Sequence, residues 1–406
     1  MLTQDFILNH ISDGGVHIEM LEDSHFDPGL FRPYMGEDNR KYVIVNTGRT
    51  QFNKQKKIRE PIFEKVRVSD LIDTGIDLPV YNATSLRKEE WITYDQALLE
   101  AARFQTAAWA DLVSSSSISV DGMATDIFEY EAASDPGEAI VDMDGITDVR
   151  GDTQSYKLRA IPLPVTHSGF FLPARRLAAS RRKGQGLDTT QIEACTRRVV
   201  ETIEKTTIGT NTGLTYGGIN AMAYDGSSTV FGYTNFTPRL TYTQVTAPTA
   251  MGWTPADTLN EVLAMLDLLK ANKFTGQYML YTSNDWDKYM DNDYILTGGN
   301  VATQTLRNRL RAIQEITDVR RLDFLFASAP TYQSHADDYD NLHPFTLLLV
   351  QMNQKTGRAI NGLSPTVIQY QTMGGMKLHF QVMAIQVPQL RSDYYGNCGI
   401  CEGTTS

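Results

Sequence analysis

The sequence is poor in cysteine. Its 406 residues include three, Cys195, Cys398 and Cys401, too few for a disulfide framework to stand in for a hydrophobic core. Cys398 and Cys401 form one C-x-x-C. A zinc site needs two more ligands, and no second Cys/His pair stands at suitable spacing, so the two read as reduced thiols in a tail or last strand. Long apolar runs are lacking as well: none approaches the ~20 residues that span a bilayer, which argues against a membrane protein. Met1–His10 has no basic start followed by an apolar core, so it does not read as a secretory signal, and a cytosolic protein is expected.

Catalytic signatures are missing too. There is no G-x-S-x-G elbow, no H-E-x-x-H and no kinase or Walker motif. The seven histidines, His10, His17, His25, His167, His335, His343 and His379, match no metal spacing. His335 with Asp337, Asp338 and Asp340 is a dense polar cluster that reads as solvated loop. Gly213, Gly217 and Gly218 fit no phosphate cradle and read as a connector. The expectation is a protein without catalytic residues, cofactor or metal. Nor is there an excess of positive charge: 48 Asp and Glu outweigh 37 Lys and Arg, for a net charge of −11, which speaks against a nucleic-acid grip.

What is present is an ordinary folded composition, 41% hydrophobic and 21% charged, with length for two or three domains. The charge is segregated. A basic stretch holds Arg49, Lys54, Lys56, Lys57, Arg59, Lys65 and Arg67. Residues 121–152 are acidic, with Asp121, Asp126, Glu129, Glu131, Asp135, Glu138, Asp142, Asp144, Asp148 and Asp152 against Arg150 alone. Such blocks read either as solvated faces or as complementary surfaces across a subunit contact. The second reading makes Lys54, Lys56, Lys57, Arg59, Glu129, Glu131, Asp142, Lys157 and Arg159 candidate intersubunit residues.

Residues 1–90 read as an extended arm with a few short strands, such as Tyr42-Val43-Ile44-Val45, and with aromatics to dock it. A helix is expected over 93–113, capped by Thr93 with Gln96 completing a capping box. Residues 121–168 read as strands and turns. Ile127–Tyr130 and Ala139–Val141 are strands, and a third runs from Ser155 to His167, where Pro162 and Pro164 confine it to a sheet edge or a lone ribbon. A basic knot follows: Arg175, Arg176, Arg181, Arg182, Lys183. The firmest local pattern is a helix over 188–208. Asp188 caps it, Ile192, Cys195, Val199 and Ile203 form its apolar stripe, Glu193–Arg197 and Glu201–Lys205 are its ion pairs, and Gly209 stops it.

Beyond it, Thr254 and Asp257 open a helix at Pro255 with the stripe Leu259, Val262, Leu263, Leu266 and Leu269. A strand over 277–282, a short helix near 284–290, a helix over 304–316 and a strand over 322–326 follow. This alternation between 250 and 350 reads as a compact α/β domain. Phe345–Gln351 is nearly all apolar and should be a central strand. Thr366–Met373 and Met376–Gln389 form a hairpin about Gly374-Gly375.

This order of parts resembles the major capsid proteins of tailed bacteriophages, whose shell fold is shared with encapsulins. The likeness is clearest over 91–209: Trp91-Ile92-Thr93-Tyr94-Asp95 opening a helix before the arm, Tyr156-Lys157-Leu158-Arg159-Ala160-Ile161-Pro162-Leu163-Pro164 as the strand returning from an extended loop, Leu187-Asp188 opening a spine helix, and Gly217-Gly218-Ile219 after it. The resemblance implies an α+β shell fold. Residues 1–90 would be its N-terminal arm, 91–120 the helix leading into the loop, and 121–168 an extended β-ribbon laid on an adjacent subunit. Residues 169–214 and 345–406 would form a peripheral domain with spine helix 188–208, and 215–344 an axial domain.

The resemblance further implies a structural, non-enzymatic protein that self-assembles through hexamers and pentamers into an icosahedral virion capsid around double-stranded DNA. Its partners would be scaffolding, portal and decoration proteins, and assembly would take place in the host cytoplasm. An acidic wall would not trap packaged DNA through phosphate contacts. No charged coiled coil precedes residue 90, so a separate scaffolding protein is expected. Some relatives crosslink a loop lysine to a neighbour, and Lys157 is the sole candidate between 121 and 172. An encapsulin-like compartment and an α/β enzyme built on 250–350 are the competing readings.

Overall fold

The structure is a computed structural model. It describes residues 32, 34–36, 40–53, 58–68, 86–103, 106–133, 143, 155–182, 189–209, 230–295, 301–325, 345–373, 376–393 and 395–405. Alternating sequence builds its first sheet. β15 (Gly357–Thr372) and β16 (Lys377–Leu390) pair antiparallel, with Ile360 opposite Val387 and Tyr370 opposite His379. Leu378, Phe380 and Val382 are buried while Lys377, His379 and Gln381 are half-exposed, the two-residue period of a strand with one face packed. β5 (Ser117–Ser119) joins β15 and β8 (Thr166–Pro173) joins β16, in the order β5-β15-β16-β8. Gly374 and Gly375 lie outside the described residues.

Among the helices packed on this sheet are α1 (Lys88–Arg103) and α4 (Thr190–Ile208). Trp91, Tyr94, Leu98, Ile192, Val199, Ile203 and Phe380 share one core. Tyr94 meets Phe380 edge-on at 5.6 Å, and Phe380 stacks on Phe170 at 5.3 Å, offset contacts that stabilise beyond area burial. The expected stripe of α4 is buried, with Cys195 half-buried at its edge. Glu201 pairs with Arg197 at 3.7 Å, one turn back from the expected Lys205. Gly209 ends the helix at φ 95°, a left-handed step that glycine makes without strain. Asp188 lies outside the described residues.

The helix expected over 93–113 is two. α1 starts at Lys88, which puts Thr93 inside it, and α2 (Ala108–Ser115) starts afresh after a break. The arginines of the basic knot lie on α3 (Ala174–Arg182), which buries Leu177 and exposes Arg175, Arg176 and Arg182, while Lys183 lies outside the described residues.

The second sheet has the order β13-β10-β14-β17-β9, from β13 (Ile316–Arg321), β10 (Tyr278–Thr282), β14 (Leu347–Gln351), β17 (Ile400–Thr405) and β9 (Leu240–Val245). β14 is central and buried throughout, as its apolar run requires. α5 (Pro255–Ala271) begins at a Thr254/Asp257 capping box and buries Leu259, Val262, Leu266 and Leu269. Leu263 instead faces solvent and Met265 takes the core place. Short α6 (Asp287–Met290) and α7 (Leu306–Arg311) complete the cover, beside a small pair of strands, β11 (Asp293–Ile295) and β12 (Val301–Thr305).

The strand expected over 322–326 lies earlier, at β13. β13 is an edge strand that buries Ile316 and Val319 and points Asp318, Arg320 and Arg321 outward. Those charges bond to Arg311, Asp111 and Asp287, so a charged edge replaces the apolar run that signals a central strand. The segment 345–406, read from sequence as one body with 169–214, is divided. β14 and β17 belong to the second sheet, β15 and β16 to the first. The cause is pairing register: Leu349 meets Cys401 and Leu280 across β14, which buries all three.

Strands between residues 34 and 87 form a third sheet, β3-β2-β1-β4, with longer strands than the short ones expected: β2 (Lys41–Asn53) and β3 (Ile58–Arg67), then β1 (Tyr34–Met35) and β4 (Leu86–Arg87). Arg32 ties it to α1, its guanidinium bonding Asp95 and lying 4.6 Å over the Trp91 ring.

Candidate intersubunit surface

β6 (Ile127–Ala133) and β7 (Tyr156–Pro162) form a two-stranded ribbon on their own, with Phe128 opposite Ile161 and Tyr130 opposite Arg159. β7 ends at Pro162, which has no N–H for a further ladder bond. The root is seated on the body. Phe128 and Ile161 pack with Leu163, Val230, Ile360 and Val387. Gly122 lies so close to Gly362 that a Cβ on it would stand 2.8 Å from the Gly362 Cα, and its N–H donates to the Gly362 carbonyl.

Toward the far end this cover is lost. Glu129 and Glu131 are exposed, and Tyr156 and Leu158 show 61% and 36% of their surface. An isolated two-stranded ribbon is marginal in water, and its bare edges are templates for pairing with another chain.

Of the candidate contact residues, Glu129 and Glu131 thus present carboxylates to solvent on one strand. Arg159 is drawn inward, its Nη1 donating to Ser392 Oγ at 2.8 Å. Lys157 stands opposite Ala132, and Arg59 lies on β3. Lys54, Lys56, Lys57 and Asp142 lie outside the described residues, as do the Ala139–Val141 strand, Gly217-Gly218-Ile219 and the His335 cluster. Cys398 and Cys401 are free and buried, and burial pushes their thiols up to about 11 and about 12. Among the described residues no cluster of His, Cys, Asp or Glu could hold a metal, and no helix is long and apolar enough to cross a membrane.

A polar junction that the sequence does not announce joins the two large sheets. The residue capping α2 is Ala107, which has no side-chain acceptor for the open N–H groups of a first turn. Glu204 of α4 supplies one from a distance: Oε1 accepts from the N–H groups of Ala107 at 3.0 Å and Ala108 at 2.7 Å, and Oε2 from Trp109 at 2.9 Å. In the same first turn of α2, Asp111 accepts from the Tyr281 hydroxyl of β10 at 2.9 Å and from Arg320 of β13 at 2.6 Å. Tyr233 stacks on Tyr281 at 6.3 Å.

Burial raises the Glu204 carboxyl to about 7, against the pull of its three N–H donors, and the charge on Asp111 adds to the rise. Asp111 is also raised, because burial outweighs Tyr281 and Arg320. Both oxygens of Glu204 are spent on backbone, which is the work of a helix cap, not of an acid facing a substrate. An acid at spacing 95–97 from the cap it fills leaves no local signature.

A lone ribbon, a long helix on a four-stranded sheet and a five-stranded α/β sheet together make a fold similar to that of a phage capsid subunit. The capsid of Myoviridae phage XM1 aligns with TM-score 0.51 and 10% identity, over 72% of this chain and 90% of that one. A virus-like particle from Pyrococcus furiosus aligns with TM-score 0.48 and 13% identity (77% and 99% covered), and the mature capsid of bacteriophage PhiM1 with 0.44 and 10% (75% and 88%). By sequence, residues 82–328 match a family of unknown function, DUF6260, and the chain belongs to that family. No curated protein matches it.

Proposed function

We propose that this chain is the major capsid protein of a tailed bacteriophage, a structural and non-enzymatic subunit that closes with copies of itself into an icosahedral shell around double-stranded DNA. The observation that carries the reading is the β6–β7 ribbon: its root is built into the body, while its outer part exposes the apolar Leu158 and the carboxylates of Glu129 and Glu131. A neighbouring copy covers that part. The shell fold supports the same reading.

In this account the arm and ribbon lie on adjacent subunits. The four-stranded sheet with α4 forms the peripheral domain. The five-stranded sheet, with β14 and β17 included, forms the axial domain that gathers as hexamers and pentamers. Scaffolding, portal and decoration proteins would act on the assembled shell, which is built in the host cytoplasm, and DNA would be enclosed without base-specific contacts. Interfaces of obligate assemblies bury upward of ~2,000 Å², an area that many modest arm and ribbon contacts can sum to.

Negative-stain microscopy of the purified protein, with nucleic-acid analysis of particles from infected cells, tests this. Closed shells holding nuclease-protected DNA are expected. Shells holding a protein cargo and no DNA would make it a compartment, and a monomer or dimer under all conditions would overturn assembly altogether.

A further inference from the structure

Three arginines stand where the ribbon meets the body: Arg159 on β7, bonded to Ser392, Arg391 just after β16 and next to Ser392, and Arg358 near the start of the paired strand β15, where it faces Gln389. Each is half-buried. Among the described residues, none of the ion pairs involves any of the three. Arg159 donates to a neutral hydroxyl, that of Ser392. Arg391 lies over the Tyr130 ring, 5.5 Å from its centroid. Arg358 Nε is buried with no hydrogen-bond partner. Burial lowers the pKa of Arg391, and the positive charges of Arg358 and Arg159 lower it further.

Beside the cluster opens a cavity of about 370 Å³ lined by Tyr130, Arg159, Phe231, Phe236, Pro388 and Leu390, among others. Gathered like charges and an orphaned donor cost stability that an anion would restore.

We infer that this cluster is an anion site, filled in the assembled protein by a carboxylate side chain of a second copy of this chain. The inference rests on the shell reading. The occupant follows from chemistry. A carboxylate matches the guanidinium fork in two parallel bonds. The apolar wall of Phe231, Phe236, Pro388 and Leu390 suits the stem of a side chain better than a hydrated ion. Each copy also carries eleven more acidic than basic residues, 48 against 37.

The test is the double variant Arg358→Gln/Arg391→Gln, compared with wild type for assembly and for the Tm of the dissociated subunit. The variant subunit should keep or raise its Tm, since repulsion is removed. The protein concentration needed for shells should rise about tenfold or more, with a weaker dependence on salt between about 50 mM and about 500 mM NaCl. Independently of any variant, ~10 mM citrate at matched ionic strength should hinder wild-type assembly by competing for the fork.

A variant that assembles at the wild-type concentration with unchanged salt dependence overturns the site, as does wild type indifferent to citrate. If inorganic phosphate raises the Tm of the wild-type subunit alone while assembly is equal in both proteins, the occupant is a small free anion and the second copy is excluded. Wild type that never assembles overturns the shell reading instead, and with it the occupant named here.

Discussion

The five-stranded sheet and the β6–β7 ribbon are both built from strands, yet among the described residues only the first is packed on both sides of its central strand. The sheet hides β14 at its centre, covers a face with α5, α6 and α7, and closes one edge with the charges of β13. Among the described residues the ribbon pairs with no further strand, and it exposes Tyr156 and Leu158. In the proposed shell, the contrast separates what the subunit needs to fold from what it needs to meet a neighbour. Substitutions in the sheet should move subunit stability, and substitutions at the ribbon's end should move assembly alone.

The largest expected effect is in the sheet. Leu349 is fully buried between β10 and β17, so Leu349→Ala should cost about 3–5 kcal/mol by loss of burial and by the cavity left behind. Chemical denaturation of the dissociated subunit checks it, and a cost below about 1 kcal/mol would show that this strand is not the keystone described. Glu204→Ala comes next. It leaves the N–H groups of Ala107, Ala108 and Trp109 without their acceptor, for a loss of about 2–4 kcal/mol.

The same residue gives stability a pH slope. Glu204 has its folded value raised from 4.5 to about 7, so between those values the folded chain holds a proton that the unfolded chain has released. Stability from this group is therefore fully present below pH ~4.5 and is lost as pH rises to ~7, by on the order of 3 kcal/mol. Asp111, also raised, acts in the same direction. Glu204→Gln keeps one acceptor oxygen and cannot ionise, so Tm measured across that window should lose most of its fall. A wild-type Tm that climbs from pH 5 to pH 7 in step with the variant's would contradict the assignment.

The smallest effect on the subunit, and the sharpest on assembly, belongs to Tyr156→Ser with Leu158→Ser. Exposed positions of this kind move monomer stability by within about 0.5 kcal/mol, while shell yield should drop steeply. Equal yields by sedimentation would place the contact elsewhere.

What could be read from the sequence was local. The Thr254/Asp257 box, the Gly209 stop, the α4 stripe and the apolar β14 each carry their cause within a few residues, and each is found where expected. Long-range causes were not legible. The fresh start of α2 is capped by Glu204, a residue on another helix. β13 hides behind its own charges because their partners, Asp111 and Asp287, lie far away in sequence. The division of 345–406 between two sheets depends on pairing register, which composition does not contain. Of the intersubunit surface, the lone ribbon was legible from its prolines, but the inward turn of Arg159 toward Ser392, 233 residues on, was not.

The central claim is that the outer ribbon is finished by another copy. Its most direct test removes that part alone: residues 131–158 are replaced by a short Gly-Ser link across the Tyr130–Arg159 pair, which keeps the seated root, and the products are compared by electron microscopy and calorimetry. The account predicts a folded subunit with near-wild-type Tm that forms no closed shells. Normal particles from the shortened chain would contradict it.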